Sequence, residues 1–183
     1  MTINVLAICG SLRAKSTNRG LVRYAQANAP EGMKIHQADL LDVPFYNADL
    51  AEKPLAVAQL LKQIGSADAL LLACPEYNYS LAPALKNALD WASREADNHL
   101  LSGKPVAMMG AGGGMGTSRA QYHLRQVCVF LNLHPLNQPE VFANAFSGSF
   151  DTDGNLTDER IRALIVKQLS ALKKWTQQLK KEP

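Results

Sequence analysis

The chain has 183 residues, 47% of them hydrophobic, enough for one sizeable core and consistent with a single domain over residues 1–183. Its 19 basic and 16 acidic residues give a formal charge of +3, with local basic pairs only at Lys173-Lys174 and Lys180-Lys181, and so mild a bias excludes a nucleic-acid footprint. The opening Met1-Thr2-Ile3-Asn4-Val5 lacks the pattern of a secretory leader and no stretch reaches the length of a membrane span, so a soluble, cytoplasmic protein is expected.

Ile3 to Cys9 reads as a strand, broken by Gly10-Ser11, and Asn18 to Asn28 carries Leu21, Tyr24 and Ala25 at helical spacing. Met33 to Ala38 alternates as an edge strand does, and Asp42 to Asn47, with Pro44, reads as loop. A helix follows from about Pro54 to Gly65, with Val57, Leu60, Leu61 and Ile64 on one face. The unbroken apolar run Ala69 to Cys74 suits a central parallel strand covered on both sides. Pro83 fits the first turn of a helix to about Arg94, because that turn leaves the missing N–H donor unused anyway.

Val106 to Ala111 is a fourth strand, Ser118 to Leu131 a fourth helix, and Leu136 to Phe142 a fifth strand interrupted by Pro139. The last helix begins after Thr157, read as its cap, with Asp158-Glu159 at the positive end of the dipole and Ile161, Leu164, Ile165, Leu172, Trp175 and Leu179 on one face. Five strand–helix units with right-handed crossovers give a doubly wound α/β sheet, whose ligands bind beyond the carboxyl ends of its strands. Function is therefore expected in the loops after strands one, three and four.

The first of these loops, Gly10-Ser11-Leu12-Arg13-Ala14-Lys15-Ser16-Thr17-Asn18, sets hydroxyls, an amide and a guanidinium just before a helix N-terminus, where an anion is favoured. It is not a P-loop, since Lys15 stands where that motif needs its second glycine. Nor is it a dinucleotide fingerprint, because Leu12 stands at the second glycine position and obstructs a pyrophosphate. What remains is a monophosphate cradle, or an ordinary polar loop in which Ser16 or Thr17 caps the helix.

The loop after strand three, Pro75-Glu76-Tyr77-Asn78-Tyr79-Ser80, offers two aromatic rings and an amide to a flat ligand, or is a turn with surface tyrosines. After strand four, Gly110-Ala111-Gly112-Gly113-Gly114-Met115-Gly116 holds five glycines, and glycine lets a backbone come within contact distance of a planar ring.

Together with Leu85-Lys86-Asn87-Ala88-Leu89-Asp90-Trp91 and Gln121-Tyr122-His123-Leu124-Arg125, these segments make the chain resemble the NADPH-dependent FMN reductase family, in particular its chromate and quinone reductase branch. The resemblance implies a flavodoxin-like fold with strand order 2-1-3-4-5 and noncovalent FMN. It implies that Ser11, Arg13, Ser16, Thr17 and Asn18 surround the phosphate. By the same resemblance Pro75, Glu76, Tyr77, Asn78 and Tyr79, with Ala111, Gly112 and Gly113, line the flavin ring. It further implies a homo-oligomer, dimer or tetramer, with the Leu85–Trp91 helix and the helix from Ser118 near subunit contacts.

The activity so implied is NAD(P)H oxidation coupled to reduction of a quinone-like oxidant, in a ping-pong cycle that requires no acid or base side chain. An electron-transfer flavodoxin is the alternative, although such carriers are typically acidic. A phosphate-binding kinase is disfavoured by the failed P-loop spacing. Cys9, Cys74 and Cys128, odd in number and far apart, are expected to be reduced thiols, with Cys9 and Cys74, at the ends of neighbouring strands near the ligand, read as buried and inert in preference to a thiol role there. His36, His99, His123 and His134 lack metal-ligand spacing, and Trp91 and Trp175 are expected in core or interface.

Overall fold

The computed structural model describes residues 2–180, so Lys181 of the basic end lies outside the described residues. Alternation along each strand decides the two faces of the sheet. In β1 (Ile3–Cys9), Leu6 and Ile8 enter one core while Val5, Ala7 and Cys9 enter the other. The same split holds for Leu70 and Leu72 against Ala69, Leu71 and Ala73 in β3 (Ala69–Ala73), and for Val106 and Met108 against Ala107 and Met109 in β6 (Pro105–Gly112). A strand buried on both faces needs the unbroken apolar run that the sequence shows.

β2 (Met33–Gln37) joins β1 on its outer side, and parallel pairing runs β2-β1-β3-β6, with Ile3 opposite Met33, Val5 opposite Ala69 and Leu70 opposite Val106. α2 (Leu55–Ser66), α3 (Pro83–Ala92) and α4 (Ser118–Phe130) cover the first core, α1 (Thr17–Ala27) and α5 (Glu159–Leu179) the second. A short antiparallel hairpin, β4 (Glu76–Tyr77) and β5 (Ser80–Leu81), lies outside the sheet. Among the described residues no helix is long and apolar enough to cross a membrane.

The fifth strand departs from expectation. Instead of Leu136–Phe142, two short pieces flank β6: β7 (His134–Pro135) pairs with its start and β8 (Val141–Asn144) with its end. Pro135 and Pro139 have no N–H to donate, so a continuous ladder cannot form there. Gln168 of α5 fills the gap: its Nε2 donates to the carbonyls of Met108, at 2.9 Å, and Pro139, at 2.8 Å.

The α5 cap is also shifted by one residue. The Asp158 carboxylate accepts from the backbone N–H groups of Arg160 and Ile161 at 2.9 and 3.2 Å, whereas the Thr157 hydroxyl donates to the Gly148 carbonyl. The bond from the Ile161 amide is the chief cause that holds the Asp158 carboxyl below its usual range. Between β8 and α5 a turn closes on the first helix. A Cβ on Gly20 of α1 would stand 1.8 Å from the Gly154 carbonyl oxygen, and one on Gly154 would stand 2.7 Å from that of Lys15. Lys15 pairs with Asp153 at 2.8 Å, and Arg23 donates to the Asn155 side chain at 2.7 Å, so the turn is tied to the loop before α1.

Candidate functional site

The carboxyl ends of β1, β3 and β6 bring together the three loops singled out in the sequence. After β1, Ser16 caps α1 by accepting from the Arg19 amide at 3.3 Å. The backbone N–H groups of Leu12, Arg13, Thr17 and Asn18, and the hydroxyls of Ser11 and Thr17, have no hydrogen-bond partner among the described residues. Arg13 forms no ion pair among them either. Unpaired donors converging on a helix N-terminus fit one phosphate group. Arg19, which the sequence reading did not single out, holds the loop by donating from Nε to the Ser11 carbonyl at 3.2 Å.

Asn18 is turned inward and only 4% exposed. Its Nδ2 donates to the Ala111 carbonyl at 2.8 Å and its Oδ1 accepts from the Ala111 N–H at 2.9 Å. The side-chain amide thus imitates a strand neighbour at the end of β6, beyond the reach of sheet pairing on that side. Its place is between the first and third loops as a brace, and only its backbone N–H remains for a ligand.

The Pro75–Ser80 segment is a built turn. Asn78 and Tyr79 both have positive φ, at 50° and 67°, the pattern that closes a two-residue hairpin with the twist of its strands. A tyrosine in the left-handed region is costly and is held by its neighbours. The Arg119 guanidinium lies 3.6 Å from the centre of the Tyr79 ring and donates from Nε to Glu76 at 2.7 Å. The other Glu76 oxygen accepts the Ala120 N–H at the start of α4, and Ser80 bonds His123 at 3.0 Å. The Glu76 side chain is therefore occupied in docking the hairpin on α4, while Tyr77 and Tyr79 stay exposed.

The glycines after β6 divide by environment. A Cβ on Gly110 would stand 2.1 Å from the Thr117 hydroxyl, and one on Gly112 would stand 2.2 Å from the Gly116 carbonyl, so those positions are filled by the protein itself. Gly113 and Gly114 face open space, with nothing within 4 Å of a Cβ, and there a planar ligand can approach the bare backbone.

A cavity of about 480 Å³ opens beside the first loop, between Leu12, Arg13 and Tyr77 and the segment Leu40–Phe45 that follows β2. That segment is clamped by α3. Asn87 donates to the Pro44 carbonyl and accepts from the Tyr46 N–H, both at 2.8 Å, and Trp91 donates to the same Pro44 carbonyl at 2.8 Å. The ring of Tyr46 meets Trp91 edge to face at 5.0 Å.

The profile of the NADPH-dependent FMN reductase family matches residues 3–148, a span that contains all three loops and the cavity. The chain belongs to that family. It is 50% identical over 181 residues to an NAD(P)H-dependent FMN reductase of Pseudomonas aeruginosa, covering 97% of each chain. It is 48% identical to an NAD(P)H:quinone oxidoreductase of Solanum tuberosum, covering 93% of this chain and 94% of the other. The solved flavoenzyme NAD(P)H:(acceptor) oxidoreductase FerB from Paracoccus denitrificans superposes with a TM-score of 0.87 at 31% identity, over 97% of this chain and 98% of that one. The fold of this FMN reductase family member is thus flavodoxin-like, as the motifs implied.

Cys9 and Cys74 end neighbouring strands, yet they point to opposite faces of the sheet. Burial pushes the Cys9 thiol up and raises those of Cys74 and Cys128 to about 12, so none of the three ionises near neutrality. The native protein is expected to resist iodoacetamide at pH 8 and to take up label at all three positions once unfolded, counted by intact mass. Among the described residues no group of three His, Cys, Asp or Glu side chains could hold a metal. Trp175 donates to the His134 carbonyl at 3.0 Å, and both tryptophans serve packing within the chain.

Proposed function

We propose that the whole chain, residues 1–183, acts as one FMN-dependent NAD(P)H oxidoreductase domain that reduces quinones, with chromate and similar small oxidants as secondary acceptors. The observation that carries the reading is the row of unpartnered donors at the N-terminus of α1, set beside the bare backbone of Gly113-Gly114. The first fits a terminal phosphate and the second a flat ring, and the Asn18–Ala111 hydrogen bonds hold the two loops together. FMN supplies the redox chemistry when bound, taking a hydride from NAD(P)H and passing two electrons on. The net reaction is NAD(P)H + quinone + H⁺ → NAD(P)⁺ + hydroquinone.

In this reading Ser11, Thr17 and the Thr17 and Asn18 amides hold the phosphate, with Arg13 closing the open side by a charge-assisted contact. Ser16 and Asn18 fix the loop that carries them. Pro75, Tyr77, Asn78 and Tyr79 flank the ring, kept in place by the Glu76–Arg119 pair. The backbone from Ala111 to Gly113 forms the opposite edge. No side chain of the site is needed as acid or base, because the single proton is drawn from water at the open face.

Arg13→Ala tests the phosphate assignment. Losing a hydrogen bond to a charged group costs roughly 1.5–3 kcal/mol, about one to two decades in affinity. The variant is expected to purify with less flavin and to regain most of its turnover at saturating FMN, with little change in KM for NAD(P)H. Fluorescence titration of the apoprotein with FMN measures the first half and steady-state kinetics the second; unchanged FMN affinity removes Arg13 from the phosphate.

The same reading includes a homo-oligomer. Tyr122, Val129 and Phe130 expose their side chains along α4, beside exposed Tyr79 and Met115 at the site, an apolar surface that a second copy would cover. Sedimentation at micromolar concentration is expected to give a dimer or tetramer, and a fully active monomer would overturn it.

A further inference from the structure

The cavity between the first loop and the Leu40–Phe45 segment shares Gly10, Leu12, Arg13 and Tyr77 with the cradle and extends from it along a second wall, Leu40–Phe45, to which the cofactor assignment gives no role. Away from Arg13 and Asn87 its lining is apolar, with Leu40, Val43 and Pro44 from the segment after β2 and Pro83 and Ala84 from α3. At its rim stand Leu41, 62% exposed, and Phe45, 77% exposed. Large apolar side chains left in solvent around a concave surface mark a ligand site. The wall is also rigid before any ligand arrives, because Asn87 and Trp91 fix Pro44 and Tyr46 by three hydrogen bonds. Preorganisation of this kind lowers the ordering cost of binding.

Charge narrows the occupant. Arg13 is the one charged side chain that lines the cavity among the described residues, and in the proposed function it belongs to the phosphate. The remaining polar lining is neutral and lies toward the cradle, in the Leu12 and Arg13 N–H groups and Tyr77, or is already bonded, as Asn87 is to Pro44 and Tyr46, so the Leu40–Phe45 wall itself offers nothing to an oxyanion, whose desolvation is expensive in apolar surroundings. The cavity is continuous with the cradle through Gly10, Leu12 and Tyr77, which belong to both. We infer that this cavity takes the uncharged aromatic ring system of the electron acceptor, a quinone of one or two fused rings, and that Leu41 and Phe45 set the preference for such acceptors over hydrophilic ones. The inference rests on the flavin-reductase reading, whose site it extends.

The test is the double variant Leu41→Ala/Phe45→Ala, assayed as FMN-loaded enzyme. Both side chains are mostly in solvent, so folding is spared. Removing two apolar contacts is expected to raise KM for menadione about tenfold. The rate with ferricyanide, too hydrophilic for the cavity, the FMN dissociation constant and the anaerobic bleaching by NADPH should stay as in the parent. Unchanged KM for menadione overturns the inference. A fall in FMN affinity instead assigns the cavity to the cofactor, and a loss confined to bleaching by NADPH assigns it to the nicotinamide; either result overturns it too. If the parent enzyme itself binds no FMN, or bound FMN is not bleached by NADPH, the flavin-reductase reading fails, a result distinct from these.

Discussion

Asn18→Ala is expected to destabilise the fold by about 4 kcal/mol and to strip the protein of flavin. The estimate follows from what is left behind: both the N–H and the C=O of Ala111 lose their partner, and each unsatisfied buried group costs about 1–3 kcal/mol. Because the lost brace spans the phosphate loop and the glycine loop, the two halves of the cradle should drift apart together. Asn18→Asp separates the causes. Its carboxylate can still accept from the Ala111 N–H but must face the Ala111 carbonyl with like polarity, so it should recover little. Chemical denaturation followed by FMN titration of the refolded apoprotein measures both effects. A loss under 1 kcal/mol, or flavin affinity equal to the parent, would show that Asn18 does not couple the loops.

Gly20→Ala is expected to reverse the usual sign of a glycine replacement in a helix. At an exposed helical position alanine gains about 1 kcal/mol over glycine. Here the new methyl carbon would lie 1.8 Å from the Gly154 carbonyl oxygen, less than any real contact, and the obstacle is backbone with no rotamer to give way. Overpacking of that kind costs about 3 kcal/mol at the upper end of its usual range, so a net loss of about 2 kcal/mol remains after the alanine gain. For a domain of this size that lowers Tm by roughly 4–8 °C. The Gly154 turn is also tied to the phosphate loop by the Lys15–Asp153 pair, so part of the strain should pass into that loop as weaker FMN binding. A Tm equal to or above the parent's, by calorimetry, would mean that the Asp151–Leu156 turn moves freely away from α1.

The sequence was most readable where the local pattern and the tertiary setting agree. β1, β3, β6 and all five helices follow from apolar periodicity, with ends within a few residues of those observed. Local chemistry misled where two residues compete for one role. Thr157 and Asp158 are both good caps, and the carboxylate prevails because it reaches two amides while the hydroxyl turns to Gly148. The hairpin at Glu76–Leu81 left no periodic signal, since its turn is made of an asparagine and a tyrosine at positive φ, the tyrosine ring packed on Arg119, 40 residues further along the chain.

Within the site, residue type was legible but allegiance was not. Asn18 looked like a donor to phosphate, and Glu76 like a ring contact. Their side chains are directed to Ala111 and Arg119, which only the positions of β6 and α4 determine. The Asp42–Asn47 stretch, which supplies most of the wall, read as plain loop because its order comes from Asn87 and Trp91 on a distant helix. Those two residues stood out in the sequence for their motif, with no hint of what they grip.

The interruption of the fifth strand has a consequence for how copies of this chain meet. A continuous outer strand would present a run of open N–H and C=O groups, a template on which another chain could extend the sheet. Here that margin offers two residues in β7 and four in β8, separated by a segment carrying Pro139 and sealed from behind by the Gln168 amide. Backbone-to-backbone recruitment along this border is thereby frustrated. Association at this border is left to side-chain surfaces, whose specificity is written in residue identity and can be tuned one substitution at a time.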